Sequence, residues 1–191
     1  MHGFYISVGK QGSGKTLFMI KHLVDNHNKK IRVFSNISLF NIDYIPISFD
    51  IKKEKYRFKN INGEEIEIID ILEMLDIDEN YFDNSIMFLD EIHIYFDSLD
   101  FMKKNNRRLH TFFSQLRKRN ILLLATTQYL LNVDIRIRRQ LLAVFQMTQL
   151  KDSIFSVETN NIDGYYIEYV RTDVFDLRQY FNYYDTTEIV H

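Results

Sequence analysis

The sequence predicts a three-layer α/β fold with a mainly parallel central sheet, and three observations predict it. Apolar runs of strand length, Phe4 to Val8, Ile86 to Leu89, Ile121 to Ala125 and Leu141 to Thr148, alternate with segments of helical period. A glycine-rich loop joins the first of these runs to the first helical segment. The order then changes, because the last third carries two strand-like stretches around a polar turn, which predicts a C-terminal β-hairpin at about 154–170.

Each element has its own signal. After the first strand, Thr16 to Val24 places Leu17, Phe18, Ile20, Leu23 and Val24 at helical spacing. Ile31 to Ser35 reads as a second strand, and Asn36 to Phe49 as an irregular connection holding the only proline, Pro46. Tyr56 to Asn60 and Glu65 to Ile69 flank an Asn62-Gly63 pair, the residues that a tight hairpin turn demands, so a small inserted hairpin is expected at about 55–69. Asp70 to Leu75 predicts a short helix and Asn106 to Lys118 a longer one. Ile154 to Val157 and Tyr165 to Val170 form the terminal hairpin, and the aromatic tail Tyr180 to Tyr184 is expected to pack back on the core. No internal repeat or linker interrupts residues 1–191, which read as one domain.

Composition narrows the class. The chain has 191 residues, 46% hydrophobic and 26% charged, with net charge −2, which excludes disordered and fibrous proteins. It has no cysteine, so a disulfide framework and thiolate metal sites are excluded. The apolar runs are too short to span a bilayer and no signal peptide is read at the N-terminus, so an intracellular location is expected. The sixteen Phe and twelve Tyr are read as core residues. His93 and His110 lack metal-ligand spacing and are read as packing or surface residues. The small net charge hides an uneven distribution. Residues 101–140 hold ten Lys or Arg against Asp134 alone, a local +9 that leaves −11 for the rest, and it is local potential that attracts a polyanion.

Residues Gly9-Lys10-Gln11-Gly12-Ser13-Gly14-Lys15-Thr16 match G-x-x-x-x-G-K-[ST] at every fixed position. Backbone N–H groups must converge on phosphate oxygens without obstruction by Cβ atoms, and the helix that follows turns its positive end to the same point. Lys15 is expected to neutralise the β- and γ-phosphates and Thr16 to ligate Mg²⁺. The second half of the site is Ile86-Met87-Phe88-Leu89-Asp90-Glu91. Asp90, at the strand end, is expected to hold the ion's water shell, and Glu91 to orient and deprotonate the attacking water. The strand Ile121 to Ala125 ends in Thr126-Thr127-Gln128, and Gln128 is read as the group that senses the γ-phosphate. Together these residues predict the catalytic-glutamate, additional-strand, RecA-like class of phosphate-loop NTPase, with ATP and Mg²⁺ as cofactors. The sheet order expected for it sets the Gln128 strand beside the phosphate-loop strand and the Asp90 strand beyond it.

Two family resemblances follow from these motifs. Lys10 makes the loop similar to that of the ParA and MinD-like dimeric ATPases, although Gln11 replaces a glycine of that pattern and Glu91 is foreign to it. More of the chain resembles the FtsK-HerA superfamily, and within it the zonula occludens toxin-like phage ATPases and viral genome-packaging ATPases. The resemblance rests on Val33-Phe34-Ser35-Asn36-Ile37, on Leu116-Arg117-Lys118-Arg119-Asn120 followed by the strand to Gln128, on Val133-Asp134-Ile135-Arg136-Ile137-Arg138, and on the short Tyr184-Asp185-Thr186-Thr187-Glu188. It implies a homo-oligomeric ring of hexameric type, in the host cytoplasm or associated with the virion, that moves double-stranded DNA with little sequence selectivity, with a capsid or membrane protein as a further partner. It also implies an arginine reaching the neighbour's γ-phosphate, drawn from Arg117, Arg119, Arg136 and Arg138, with Arg119 and Arg138 favoured. Lys103, Lys104, Arg107 and Arg108 would track the DNA backbone. Genome packaging is the expected function, with phage assembly or extrusion, or a ParA-like switch, as alternatives.

Overall fold

The computed structural model describes residues 2–49, 58–59, 65–96, 104–163 and 166–184. Among these residues a nine-stranded sheet runs in the order β11 (Tyr166–Asp176), β10 (Ile154–Asp163), β9 (Leu141–Lys151), β1 (Gly3–Val8), β8 (Leu122–Thr127), β7 (Ser85–Leu89), β2 (Arg32–Ser35), β3 (Ile45–Ser48), β6 (Ile69–Asp70). Its central strands are β1 (Gly3–Val8), β8 (Leu122–Thr127), β7 (Ser85–Leu89) and β2 (Arg32–Ser35), all parallel. The expected order of phosphate-loop strand, Gln128 strand and Asp90 strand is therefore what forms. β9 (Leu141–Lys151) flanks β1 on the other side, also parallel.

These strands are buried on both faces, and the period of two sorts their side chains into two cores. Phe4, Ile6 and Val8 of β1, Met87 and Leu89 of β7, and Leu123 and Ala125 of β8 point to one face. There they meet Leu109, Phe112, Phe113 and Leu116, from α3 (Lys104–Ser114) and the turn that follows it. Ile86, Phe88, Leu122 and Leu124 point to the opposite face. They meet Leu17, Phe18, Ile20 and Leu23 of α1 (Lys15–Asn26), together with Leu177 and Tyr180 near the C-terminus. Side chains of one strand thus hold two helical layers.

Three features depart from the sequence reading. The connection expected at Asn36 to Phe49 contains β3 (Ile45–Ser48), which pairs with β2 and with β6 (Ile69–Asp70). Pro46 is accommodated because β6 runs beside β3 only from Ile47 onward, so the missing N–H removes no bond on that side. The terminal hairpin is longer than expected: β10 (Ile154–Asp163) and β11 (Tyr166–Asp176) pair antiparallel, and β10 also pairs with β9, so the hairpin extends the main sheet. The longer helix ends at Ser114, before the expected Lys118, and turns carry the chain to Ile121, with Asn120 in the left-handed region. Of the inserted hairpin, β4 (Phe58–Lys59) and β5 (Glu65–Ile66) pair antiparallel, while its Asn62-Gly63 turn lies outside the described residues. The short helix forms as α2 (Ile71–Ile77), capped by the Asp70 carboxylate, which accepts from the N–H groups of Leu72 and Glu73. Among the described residues no helix is long and apolar enough to cross a membrane.

A half-buried histidine makes the core acid-sensitive. His22 on α1 lies edge-on to Phe18, with centroids 4.7 Å apart, and is stacked on Phe145 at 5.3 Å. Burial, helped by the Lys21 charge, pushes its imidazole down to about 4. The folded state thus favours neutral His22, whose stabilisation is complete above the unfolded value near 6.5 and is lost as pH falls from there toward 4. His22→Leu should therefore remove about 2–3 kcal/mol of the stability lost between pH 7 and pH 4.5, as read from urea unfolding at both values.

Candidate nucleotide site

The loop Gly9 to Gly14 leaves the C-terminal end of β1 and enters α1. Gly14 is the N-cap in the left-handed region, φ 86°, and a Cβ there would stand 2.5 Å from the Phe155 ring. Gly12, φ 76°, is also left-handed but faces open space, leaving room for a ligand to approach the backbone. The first turn of α1 carries no acid, so the positive end of its dipole is not neutralised from within. Ser13 and Lys15 are buried, while Lys10 and Gln11 are exposed. The Lys10 carbonyl accepts from the Ser13 N–H at 3.1 Å and from Lys15 Nζ at 3.2 Å, so this residue holds the loop through its backbone.

Asp90 follows β7 and receives most of the site's hydrogen bonds. Its Oδ1 accepts from Thr16 Oγ1 at 2.8 Å and from Thr126 Oγ1 at 2.7 Å. Its backbone is held on both sides by Asn36, whose Oδ1 accepts the Asp90 N–H at 2.7 Å and whose Nδ2 donates to the Asp90 carbonyl at 2.9 Å. Burial raises the Asp90 carboxyl above the usual range, against the two hydroxyl hydrogen bonds and the charge of Lys15, which lower it.

Glu91 has left-handed backbone, φ 48° and ψ 51°, a conformation costly for a residue with a Cβ. Its N–H donates to Thr126 Oγ1 at 2.9 Å. Its Oε1 lies 3.8 Å from Lys15 Nζ and its Oε2 lies 3.3 Å from His93 Nδ1. Burial raises the Glu91 carboxyl, and the neighbouring Asp90 adds to this, while Lys15, His93 and a hydrogen bond from Gln128 oppose it. His93 also lies 3.2 Å from Thr127 Oγ1.

The structure brings Gln11, Gly12, Gly14, Lys15, Thr16, Asp90 and Glu91 together around one cavity of about 300 Å³, with Gln128 beside Glu91. Gly9 and Ser13 lie beneath the loop, where a Cβ at Gly9 would stand 2.5 Å from Ser13 Oγ. Neither favoured arginine is at this cavity. Arg119 precedes β8 at the far end of the strand, where it donates to Gln115 and to the Glu79 carbonyl and pairs with Asp83 at 3.4 Å. Arg138, in α4 (Ile135–Arg138), donates from Nε to the Val133 carbonyl at 2.9 Å. Arg136 pairs with Asp134 at 2.9 Å and Arg108 with Asp76, Lys103 lies outside the described residues, and Lys104 and Arg107 lie on α3.

Four residues of the site escaped the sequence reading. Thr126 and Asn36 stood inside motifs that were noticed, but nothing in the spacing singled them out above Gln128 or Ile37. His93, read as packing or surface, lies against Glu91. Tyr184 lines the cavity beside Asp90, where burial and the Asp90 charge push its phenol up to about 12.

A strand, a glycine loop that opens a helix, and an acid-tipped strand two places along the sheet define the phosphate-loop NTPase fold. The zonular occludens toxin (Zot) family model matches residues 3–187, and the chain belongs to that family. Among solved structures, the N-terminal domain of zonular occludens toxin from Neisseria meningitidis is similar, with 18% identity and a TM-score of 0.66 over 97% of this chain and 100% of that one. The DNA-packaging ATPase B204 from Sulfolobus turreted icosahedral virus is 12% identical with a TM-score of 0.51, covering 88% of this chain and 97% of that one. The genome packaging NTPase B204 of Sulfolobus turreted icosahedral virus 2, in complex with AMPPCP, is also 12% identical with a TM-score of 0.50 over the same shares. At these identities the likeness is one of fold. No curated protein sequence matches the chain.

The Glu91 backbone gives a stability test. Glu91→Gly should raise the unfolding free energy by about 1 kcal/mol, a rise of about 2–4 °C in Tm, because glycine adopts the left-handed conformation without strain. Thermal melts of the two proteins check this.

Proposed function

We propose that the chain is an ATP hydrolase that works as a subunit of a homo-oligomeric ring and moves double-stranded DNA during viral genome packaging. The observation that carries the ATPase reading is the meeting of Lys15, Thr16, Asp90 and Glu91 at one cavity at the N-terminus of α1. The packaging assignment draws support from the fold shared with packaging ATPases.

Lys15 and the loop N–H groups hold the triphosphate. Thr16 Oγ1 and the Asp90 carboxylate are hard oxygen donors side by side, and among the described residues no cluster of three acids or histidines competes with them. That donor set fits Mg²⁺, which keeps several waters and takes few protein ligands. When bound, the ion offsets charge on the β- and γ-phosphate oxygens. Glu91, raised and held near Lys15, orients a water and accepts its proton. Gln128, bonded to Glu91, links γ-phosphate occupancy to that base. Arg138 is the arginine presented to a neighbouring subunit, since among the described residues its guanidinium makes one hydrogen bond in its own chain, from Nε to the Val133 carbonyl, and faces no acid there, whereas that of Arg119 is paired with Asp83 and Glu79.

A second reading, a phage assembly or extrusion ATPase acting with a membrane protein, is favoured by the family match itself. It separates from the first by indifference to DNA.

Phosphate release tests the reading. Turnover should be stimulated by double-stranded DNA, with stimulation fading as salt rises because phosphate contacts release counterions. Glu91→Gln should lower turnover about 10²- to 10⁴-fold while ATP stays bound, and Lys15→Ala should abolish both. Turnover that survives Glu91→Gln would defeat the proposal, and DNA-indifferent turnover would favour extrusion. The two arginines divide by readout. Arg138→Ala should lower turnover of the assembled ring about 10³-fold or more while costing about 0.5–1 kcal/mol for its one hydrogen bond, whereas Arg119→Ala should cost about 1–3 kcal/mol of stability without that loss of turnover.

A further inference from the structure

The cavity lining is of two kinds. Gly12, Gly14, Lys15, Thr16, Asp90 and Glu91 supply the phosphate and metal groups, and Phe155, Phe181 and Tyr184 supply aromatic rings, with Gln149 and Asp152 also on the lining. A triphosphate uses only the first kind. The base and ribose need other partners, and the three rings are not equivalent. Phe155 is buried, packed against Gly14. Tyr184 feels the charge of Asp90 and so stands at the acid end. Phe181 remains, 42% exposed at the cavity, and no other ring stacks on it among the described residues.

That exposure does not come from a loose end. The turn Arg178–Tyr183 is tied from both sides: Leu177 and Tyr180 are buried, and the Leu177 N–H donates to the Ser153 carbonyl at 2.9 Å. The Phe40 N–H donates to the Tyr183 carbonyl at 2.8 Å, and Asn41 Nδ2 donates to the Asn182 carbonyl at 3.1 Å. A large apolar ring is therefore held in water by a fixed backbone, at the mouth of a cavity whose ligand carries a flat aromatic group. We propose that Phe181 is the platform on which the nucleobase stacks, so that the C-terminal turn, far from the phosphate loop in sequence, completes the nucleotide site. This rests on the nucleotide reading above and adds the residue that recognises the base.

The test compares Mg·ATP with Mg·tripolyphosphate, which has the phosphates and no base, by calorimetric titration. Phe181→Ala should weaken ATP about 5- to 100-fold, the range for loss of one base–aromatic stack, and leave tripolyphosphate unchanged. Phe181→Tyr, which keeps the ring, should retain ATP affinity. The chain has no tryptophan, so Phe181→Trp introduces a single indole whose emission should be quenched by ATP and not by tripolyphosphate. ATP binding unaltered by Phe181→Ala, equal loss of both ligands, or ATP binding without indole quenching would each overturn the proposal. Failure of the unaltered protein to bind either ligand would instead overturn the nucleotide reading beneath it.

Discussion

The Asp90 carboxylate is the point on which the architecture turns. Hydroxyls from α1 and β8 converge on one of its oxygens, and the amide of Asn36, just after β2, clamps its backbone. A carboxylate drawn out of water is unfavourable unless it is hydrogen-bonded, so the site is stable only while the ends of β2, β7 and β8 and the start of α1 keep their places. The same contacts force the chain to turn abruptly after Asp90. Glu91 takes a left-handed backbone, and strain of this kind persists only where its surroundings over-determine it. Here the Glu91 N–H is fixed by Thr126, the same hydroxyl that bonds Asp90. One threonine therefore positions both acids.

The sheet explains how such convergence is possible. Because the central strands are parallel, their C-terminal ends gather on one edge, and every loop that leaves that edge can reach the same cavity. The two cores on opposite faces hold these ends rigidly without contributing chemistry themselves. Extending the sheet through β9, β10 and β11 adds a further wall: Gln149 and Asp152, from β9 and the turn after it, and Phe155 of β10 line the cavity from the side that the parallel strands leave open.

Much of this was legible in the sequence, and the limits follow from what periodicity carries. The strand, loop and helix around residues 3–26 and the acid-tipped strand at 86–91 could be read because their apolar runs and fixed spacings are local. The order of the central strands came with the fold class that those motifs define rather than from any local pattern. β3 was hidden by Pro46, which is tolerated only because its partner strand starts one residue later. The length of β10 and β11 was hidden because polar residues such as Glu158, Asn161 and Arg171 break the alternation where the sheet faces water. Thr126, Asn36 and Tyr184 were not legible as site residues, since each meets Asp90 across 36 or more residues of chain that no local pattern bridges, and His93, two residues from Glu91, has no metal-ligand spacing to single it out.

The basic segment shows the same limit in electrostatic form. A count of +9 over residues 101–140 suggests a strong field, yet among its described side chains Arg108 is paired with Asp76, Arg119 with Asp83 and Arg136 with Asp134. Such pairing turns formal charge into short dipoles whose field falls off quickly, so each subunit attracts a polyanion less than its composition implies. Arg117 and Lys118 are exposed before β8, at the end of the strand opposite the nucleotide cavity. The DNA motor proposed here would have to release each phosphate as readily as it takes it, which a weak contact per subunit permits. Attraction by the proposed ring would then come from repetition, since modest contacts made together hold far more firmly than any one alone.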